Sequence, residues 1–129
     1  MVIGASEALA DAAAAALRGM NGLTGVHEGV PVQAAAPYAA VEAGPETDWS
    51  HKSGAGREVR LAVALRGRGE RPAPLRALAA EAEAAIEALD GEIGGWRLVT
   101  LRFVRSRLLA EARGEWVAVS EYRARMLKA

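Results

Sequence analysis

The chain has no cysteine among its 129 residues. That removes disulfides, thiolate metal sites and thiol nucleophiles at once. It fits a reducing compartment. There are two histidines, His27 and His51, in no metal-binding spacing. Aromatics supply six positions and lysine only two. The longest apolar run, Ala12 to Leu17, is far below the ~20 residues that cross a bilayer. The N-terminus lacks the charged and leucine-rich regions of a signal peptide, so the mature chain is expected to begin at or near Met1. Net charge is zero, which gives no global pull toward nucleic acid or anionic membrane.

Arginine is plentiful, 14 residues, and alanine more so, 30 residues. Both are usual in GC-rich coding sequence, so the alanines carry little structural information. Charge is unevenly placed. Residues 1–65 hold 4 basic and 7 acidic groups, and residues 66–129 hold 12 basic and 9 acidic groups. Oppositely charged halves suit stacking of one copy on another, although imbalance of this size also arises by chance. The length fits one domain, residues 1–129, large enough to bury a core unaided.

Periodicity gives the elements. Leu9, Ala13, Leu17 and Met20 form a narrow helical stripe over Ala5 to Met20, with Ser6 placed to cap it and Gly19 or Gly22 to stop it. Leu23 to Val32 is ambiguous, and Pro31 confines any strand there to an edge. Tyr38 to Glu42 reads as a strand. Ala43 to Arg57 reads as a long loop, because Gly44-Pro45, Ser53-Gly54 and Gly56 are breakers. Val59, Leu61, Val63 and Leu65 alternate with polar or small residues, the clearest strand in the chain. Leu75, Leu78, Ala82, Ile86 and Leu89 give a second helix over Pro74 to Leu89, stopped by Asp90-Gly91. Trp96 to Leu109 and Glu115 to Met126 read as a hairpin turning at Arg113-Gly114. The expected fold is α+β: a mostly antiparallel sheet of four to five strands with two helices on one face, the other face left for a neighbour.

No motif announces a chemistry. Asp48, Ser50 and His51 invite a triad, but neighbours in a loop seldom hold a nucleophile and base in line. A solvated polar loop is the simpler reading. The Gly-Ala-Gly-Arg stretch at 54–57 lacks the phosphate-loop pattern and precedes a strand. Glu81, Glu83 and Glu87 form a solvated helix face. Arg97, Arg102, Arg105 and Arg107 flank Trp96 and Phe103, a nucleic-acid pattern in outline. Strict alternation places Arg102 opposite the other three, which splits the patch and favours ion pairs with solvent or another subunit. Trp49 is an aromatic in a polar loop. It either folds back on its own domain or docks on a partner. Catalytic residues, cofactor and metal are all expected to be absent.

The order of pieces resembles the tail completion, or tail terminator, proteins of long-tailed phages and gene transfer agents. The pieces are Pro-Tyr-Ala-Ala-Val at 37–41, Asp-Trp-Ser-His-Lys at 48–52, Gly-Arg-Glu-Val-Arg-Leu-Ala-Val-Ala-Leu at 56–65, Trp-Arg-Leu-Val-Thr-Leu-Arg-Phe-Val at 96–104, and the closing segment at 114–125. Arg66-Gly67 departs from the pattern, where an aromatic or small polar residue is expected. The resemblance implies a non-enzymatic particle component. Such proteins form rings, commonly hexameric, at the head-proximal end of the tail tube. They contact the tube protein and the head's connector or stopper, and DNA passes through the lumen. Assembly would take place in the bacterial cytoplasm, with no membrane partner. Asp48, Trp49, His51, Lys52, Arg57, Arg102 and Arg105 are the expected interface residues. Three other readings stay open: another head–tail joining protein such as a stopper or adaptor, a two-fold dimeric regulatory or adaptor domain, and a small ligand-binding protein or enzyme with 44–57 as a lid.

Overall fold

Apolar residues spaced by two and by 3.6 must both bury one side, so helices cover one sheet face. The computed structural model describes residues 3–129. Its elements are α1 (Ala5–Arg18), β1 (Val26–Glu28), β2 (Tyr38–Asp48), β3 (Gly56–Arg68), α2 (Ala73–Glu87), β4 (Glu92–Ile93), β5 (Trp96–Ala112) and β6 (Glu115–Lys128). The six strands form one sheet in the order β1-β2-β3-β6-β5-β4. Only β1 runs parallel to its neighbour. The α+β expectation holds, with one strand more than foreseen.

The core lies between the helices and one sheet face. Leu9, Leu17, Val59, Leu61, Ile86 and Tyr122 are fully buried in it. Gly67 explains the departure at 66–67. A Cβ there would stand 3.1 Å from Leu75 Cδ1, so glycine lets the start of α2 sit close on β3. Two indoles fasten the periphery. Trp96 Nε1 donates to the Ile3 carbonyl at 2.8 Å, and Trp116 Nε1 donates to the Gly69 carbonyl at 3.0 Å.

Three local expectations need correction. First, β4 is a new element. The Gly94-Gly95 pair, with φ of 55° and 88°, turns it into β5, and a Gly-Gly pair is a hairpin signal; two residues are too few to show a period. Second, α1 is not capped by Ser6. Gly4 is the N-cap and makes no side-chain bond. Ser6 instead donates its backbone N–H to Glu46 Oε2 at 3.1 Å, and its hydroxyl donates to the same oxygen. A carboxylate from β2 thus satisfies a free N–H at the positive end of α1.

Third, the long loop shrinks. β2 runs through Gly44-Pro45 as a register shift between Ala43 and Glu46, then pairs Glu46, Thr47 and Asp48 with Val59, Glu58 and Arg57. A bulge accepts both breakers, since Gly44 has φ 126° and proline has no N–H to lose at an interrupted ladder. What remains is the tip, residues 49–55.

The Ser6 bonds, and behind them Arg57, hold the Glu46 carboxyl below the usual range. A depressed carboxyl stabilises the fold above its unfolded pKa, and that contribution is lost as pH falls through the folded value. Glu46→Gln is therefore expected to lower stability at pH 7 and to flatten the acid limb below pH 4.5. Urea midpoints measured from pH 7 to pH 3 check this; parallel profiles for the two proteins would contradict it.

Candidate interface: the hairpin tip and the arginine face

The tip is built by its own backbone. Trp49 N–H donates to Gly56 O at 2.9 Å, and His51 and Gly54 exchange two bonds of 2.9 and 3.1 Å. Ser50 ties the base, accepting from Gly56 N–H at 3.1 Å and donating to Asp48 Oδ1 at 2.6 Å. The hydroxyl that a triad would need as nucleophile is thus committed directly to the carboxylate, with no imidazole between them. Asp48, His51 and Lys52 are exposed at this end of the sheet.

Trp49 folds back. It is half-buried, meets the His51 ring edge-on at 4.5 Å, and carries the Arg125 guanidinium 5.6 Å from its ring centre. Arg125 in turn donates to Glu58 Oε1 at 3.0 Å. Trp49 is therefore a rigid part of the uncovered sheet face, held by a cation–π contact. Arg57 points to the helix side, where it pairs with Glu46 at 3.1 Å and Asp48 at 3.7 Å. It braces the tip and is not grouped with Trp49.

The arginines of β5 are not split. Paired residues in antiparallel strands share a face. Arg97, Arg102, Arg105 and Arg107 pair with Leu127, Arg123, Glu121 and Val119, all on the uncovered face. Register shifts at Leu98/Thr100 and Phe103/Arg105 each add one residue, Val99 and Val104. Each bulge resets the alternation, so Leu98, Leu101 and Phe103 reach the helix side together. Sequence alternation alone cannot show this, because nothing local distinguishes a bulged valine from a paired one.

Arg60, Arg123 and Arg125 extend the patch across β3 and β6. Glu58 takes Arg125 and, at 3.8 Å, Arg123. Glu121 takes Arg105, which depresses its carboxyl. Among the described residues, Arg60, Arg97, Arg102 and Arg107 make no ion pair. Trp96 is buried and Phe103 lies edge-on to Tyr122 on the helix side, so the aromatics of β5 do not join its arginines, and Trp49 on the uncovered face already carries the Arg125 guanidinium. A protein partner offering carboxylates fits the face better than a nucleic-acid strand.

Of the segment 44–57, residues through Asp48 lie in β2 and Gly56 and Arg57 lie in β3, and Gly44 and Pro45 line a shallow cleft with Arg60 and Glu121. A cleft of about 210 Å³ lies between α2 and the β5–β6 hairpin, lined by Arg76, Glu83, Ser106, Arg107 and Ser120 among others. Neither Asp48 nor His51 lines it. Among the described residues no three His, Asp or Glu side chains gather to hold a metal, and no helix is long and apolar enough to cross a membrane.

This small α+β fold gathers arginines and carboxylates on an exposed sheet face, a surface that can be read by a charged partner. The comparisons make the class specific. Residues 6–127 match the family model described as tail completion protein gp17, and the chain belongs to that family. A solved chain from the virion of a native gene transfer agent particle is 29% identical, with a TM-score of 0.67, over 97% of this chain and 99% of that one. No curated protein matches.

Proposed function

We propose that this protein is a structural component of a phage or gene transfer agent tail, and that it closes the head-proximal end of the tail tube as a ring. The carrying observation is the family match over 6–127, joined to likeness along nearly the whole chain with a component of a gene transfer agent virion. Hexameric rings are the commonest form in this family. In this reading the ring stops tube growth, receives the head's connector or stopper, and lets DNA through its lumen. It assembles in the bacterial cytoplasm and leaves in the particle. The role needs no catalysis and no cofactor. A protein working by contact needs rigid surfaces, and the two bulges and the bonded tip supply them.

Electron microscopy of tails assembled with and without the protein tests the role. Tubes that overgrow or stay headless in its absence, and end in a ring in its presence, are expected. Tails indifferent to it would sink the proposal.

Asp48, Trp49, His51 and Lys52 would form one contact with the tube or a neighbour, Arg102 and Arg105 another, and Arg57 would brace the first. Trp49→Ala is expected to leave the monomer folded, because the indole stands outside the buried core. It should cut head–tail joining by about tenfold or more, the size of a hot-spot loss. Circular dichroism and particle counts separate the two effects. Unchanged particle yield, or an unfolded variant, would contradict this assignment.

A further inference from the structure

The two broad faces of the molecule carry opposite charge. On the uncovered face of the sheet, Arg60, Arg123 and Arg102 stand in one row across β3, β6 and β5, each paired with the next. Like charges directly opposite one another across strands are destabilising, so the row gains from an outside anion. Among the described residues its one ion pair is Arg123 with Glu58 at 3.8 Å, and Glu58 sits closer to Arg125, at 3.0 Å. Glu121, in the adjoining row, is taken by Arg105. Arg60 and Arg102 are exposed. The surface beside them is low and apolar: Ala40, Ala62 and Ala64 line a cleft of about 200 Å³ with Val30 and Pro31.

The opposite face is the helix layer, and it is acidic. The two helices carry Glu7, Asp11, Glu81, Glu83 and Glu87 against Arg18 and Arg76. Among the described residues none of these five carboxylates makes an ion pair. On α2, Ala77, Ala80 and Ala84 recur at helical spacing and are exposed, as are Glu81 and Glu87 beside them. The outer surface of α2 is thus a smooth alanine stripe edged with free carboxylates.

Acids and arginines lie back to back across the sheet. α2 packs on β3, β5 and β6, the strands that hold the arginine row. Burial, and then the charges of Glu83 and Glu87, push up the Tyr122 phenol from the helix side. The next residue of β6, Arg123, is the middle of the row on the other side. A copy set behind another, face to back and with little slide along the strands, therefore brings the carboxylates of α2 onto the arginine row. Small residues on both surfaces let them approach closely. A two-fold pair of these faces would instead set arginine on arginine or acid on acid. A face-to-back pair matches opposite charges and leaves a free face of each kind, which must close into a ring or continue as a filament.

We propose that copies of this chain stack face to back, with α2 of one copy seated on the uncovered sheet of the next. Glu81 and Glu87 meet Arg60, Arg123 and Arg102, and the alanine stripe around Ala84 lies against Ala62. This rests on the ring reading and supplies its subunit contact. Complementary charge on the two faces fixes the direction of stacking as well as the partner.

The absence of native cysteine makes a clean test. Ala62→Cys and Ala84→Cys are introduced together and singly, and a short bismaleimide is applied to purified particles whose tail ends are imaged in parallel. In one chain the two positions lie on opposite sides of the sheet, so the linker joins them between copies. The double variant should give a ladder of multimers, and each single variant should stay monomeric. Charge reversal tests the same contact. Arg60→Glu with Arg102→Glu on one chain, or Glu81→Arg with Glu87→Arg on another, should each cut the number of ringed tail ends at least tenfold while keeping the parent's circular dichroism. Supplied together, the two chains should alternate and restore the rings. Rings without a ladder, or a mixture no better than its parts, would overturn this contact and leave the ring standing. Failure of the arginine variant alone, with the α2 variant behaving as the parent, would also overturn it and give the sheet face to a different acidic protein. Parent particles showing no ring at the tail end would instead remove the ring reading, and this contact with it.

Discussion

Tyr122→Ala is expected to destabilise the fold by about 3–5 kcal/mol, the range for deleting a large buried ring. Tyr122 is fully buried at the middle of β6. It pairs with Leu61 on one side and Phe103 on the other, and meets the Phe103 ring edge-on at 5.8 Å. All three core strands therefore share its volume, and α2 covers it. At about 4 °C per kcal/mol, the melting temperature should fall by roughly 12–20 °C. A domain with about 5–15 kcal/mol to lose would be left marginal.

The phenol itself contributes little to this. Its hydroxyl finds no hydrogen-bond partner among the described residues. Ser120 lies two residues back on the same face of β6. Burial, with Glu83 and Glu87 of α2 behind it, pushes the phenol above its ordinary pKa. Removing an unpartnered buried hydroxyl is close to neutral or favourable, so Tyr122→Phe should stay within about 1 kcal/mol of the parent. Urea unfolding of both variants decides the matter. A Tyr122→Phe loss comparable to that of Tyr122→Ala would show the hydroxyl to be bonded.

The sequence made the core legible because the core obeys simple periods. Val59, Leu61, Val63 and Leu65 alternate, and every one is buried. Leu75, Ala82 and Ile86 keep the helical spacing, and they are the buried residues of α2. Arg113-Gly114 closes the last hairpin where a two-residue turn is expected. The candidate interface was legible only in its residue types. Trp49 and the β5 arginines stand out as exceptions to their surroundings, but their placement depends on events with no local signature. The bulge at Val99 turns Arg102 to the side of Arg97, and the bulge at Val104 keeps Arg105 and Arg107 there. A bulge at Gly44-Pro45 turns most of a supposed loop into strand. Glu46 reaches Ser6 across 40 positions of chain, and no window along the sequence contains both. The errors thus concentrate where strands change register and where one element caps another, both of which are settled by tertiary fit.

The tip of the β2–β3 hairpin provides the sharpest local test of that fit. Gly56→Ala is expected to cost about 1–3 kcal/mol, the usual range for forcing extra volume into a packed site. A Cβ at Gly56 would stand 2.2 Å from the Trp49 carbonyl oxygen and 2.9 Å from Leu127 Cδ2. The nearer atom is backbone, so no rotamer change relieves the clash. Gly56 is not in the left-handed region, so the cost is purely steric. Relief requires Trp49 to move, and with it the bonds from Trp49 N–H to Gly56 O and from Gly56 N–H to Ser50. Gly54 is the control. It lies two residues away in the same tip, has open space around its Cα and no positive φ. Gly54→Ala should shift stability by no more than about 0.5 kcal/mol, as ordinary surface changes do. If the tip also forms a particle contact, Gly56→Ala should lower head–tail joining even at temperatures where the variant is folded, because Trp49 and Arg125 no longer present the same surface. Equal unfolding midpoints for the two alanine variants would refute the close approach of Gly56 to Trp49. A destabilised Gly56→Ala protein that joins heads to tails at the parent rate below its melting range would assign the tip a purely structural role.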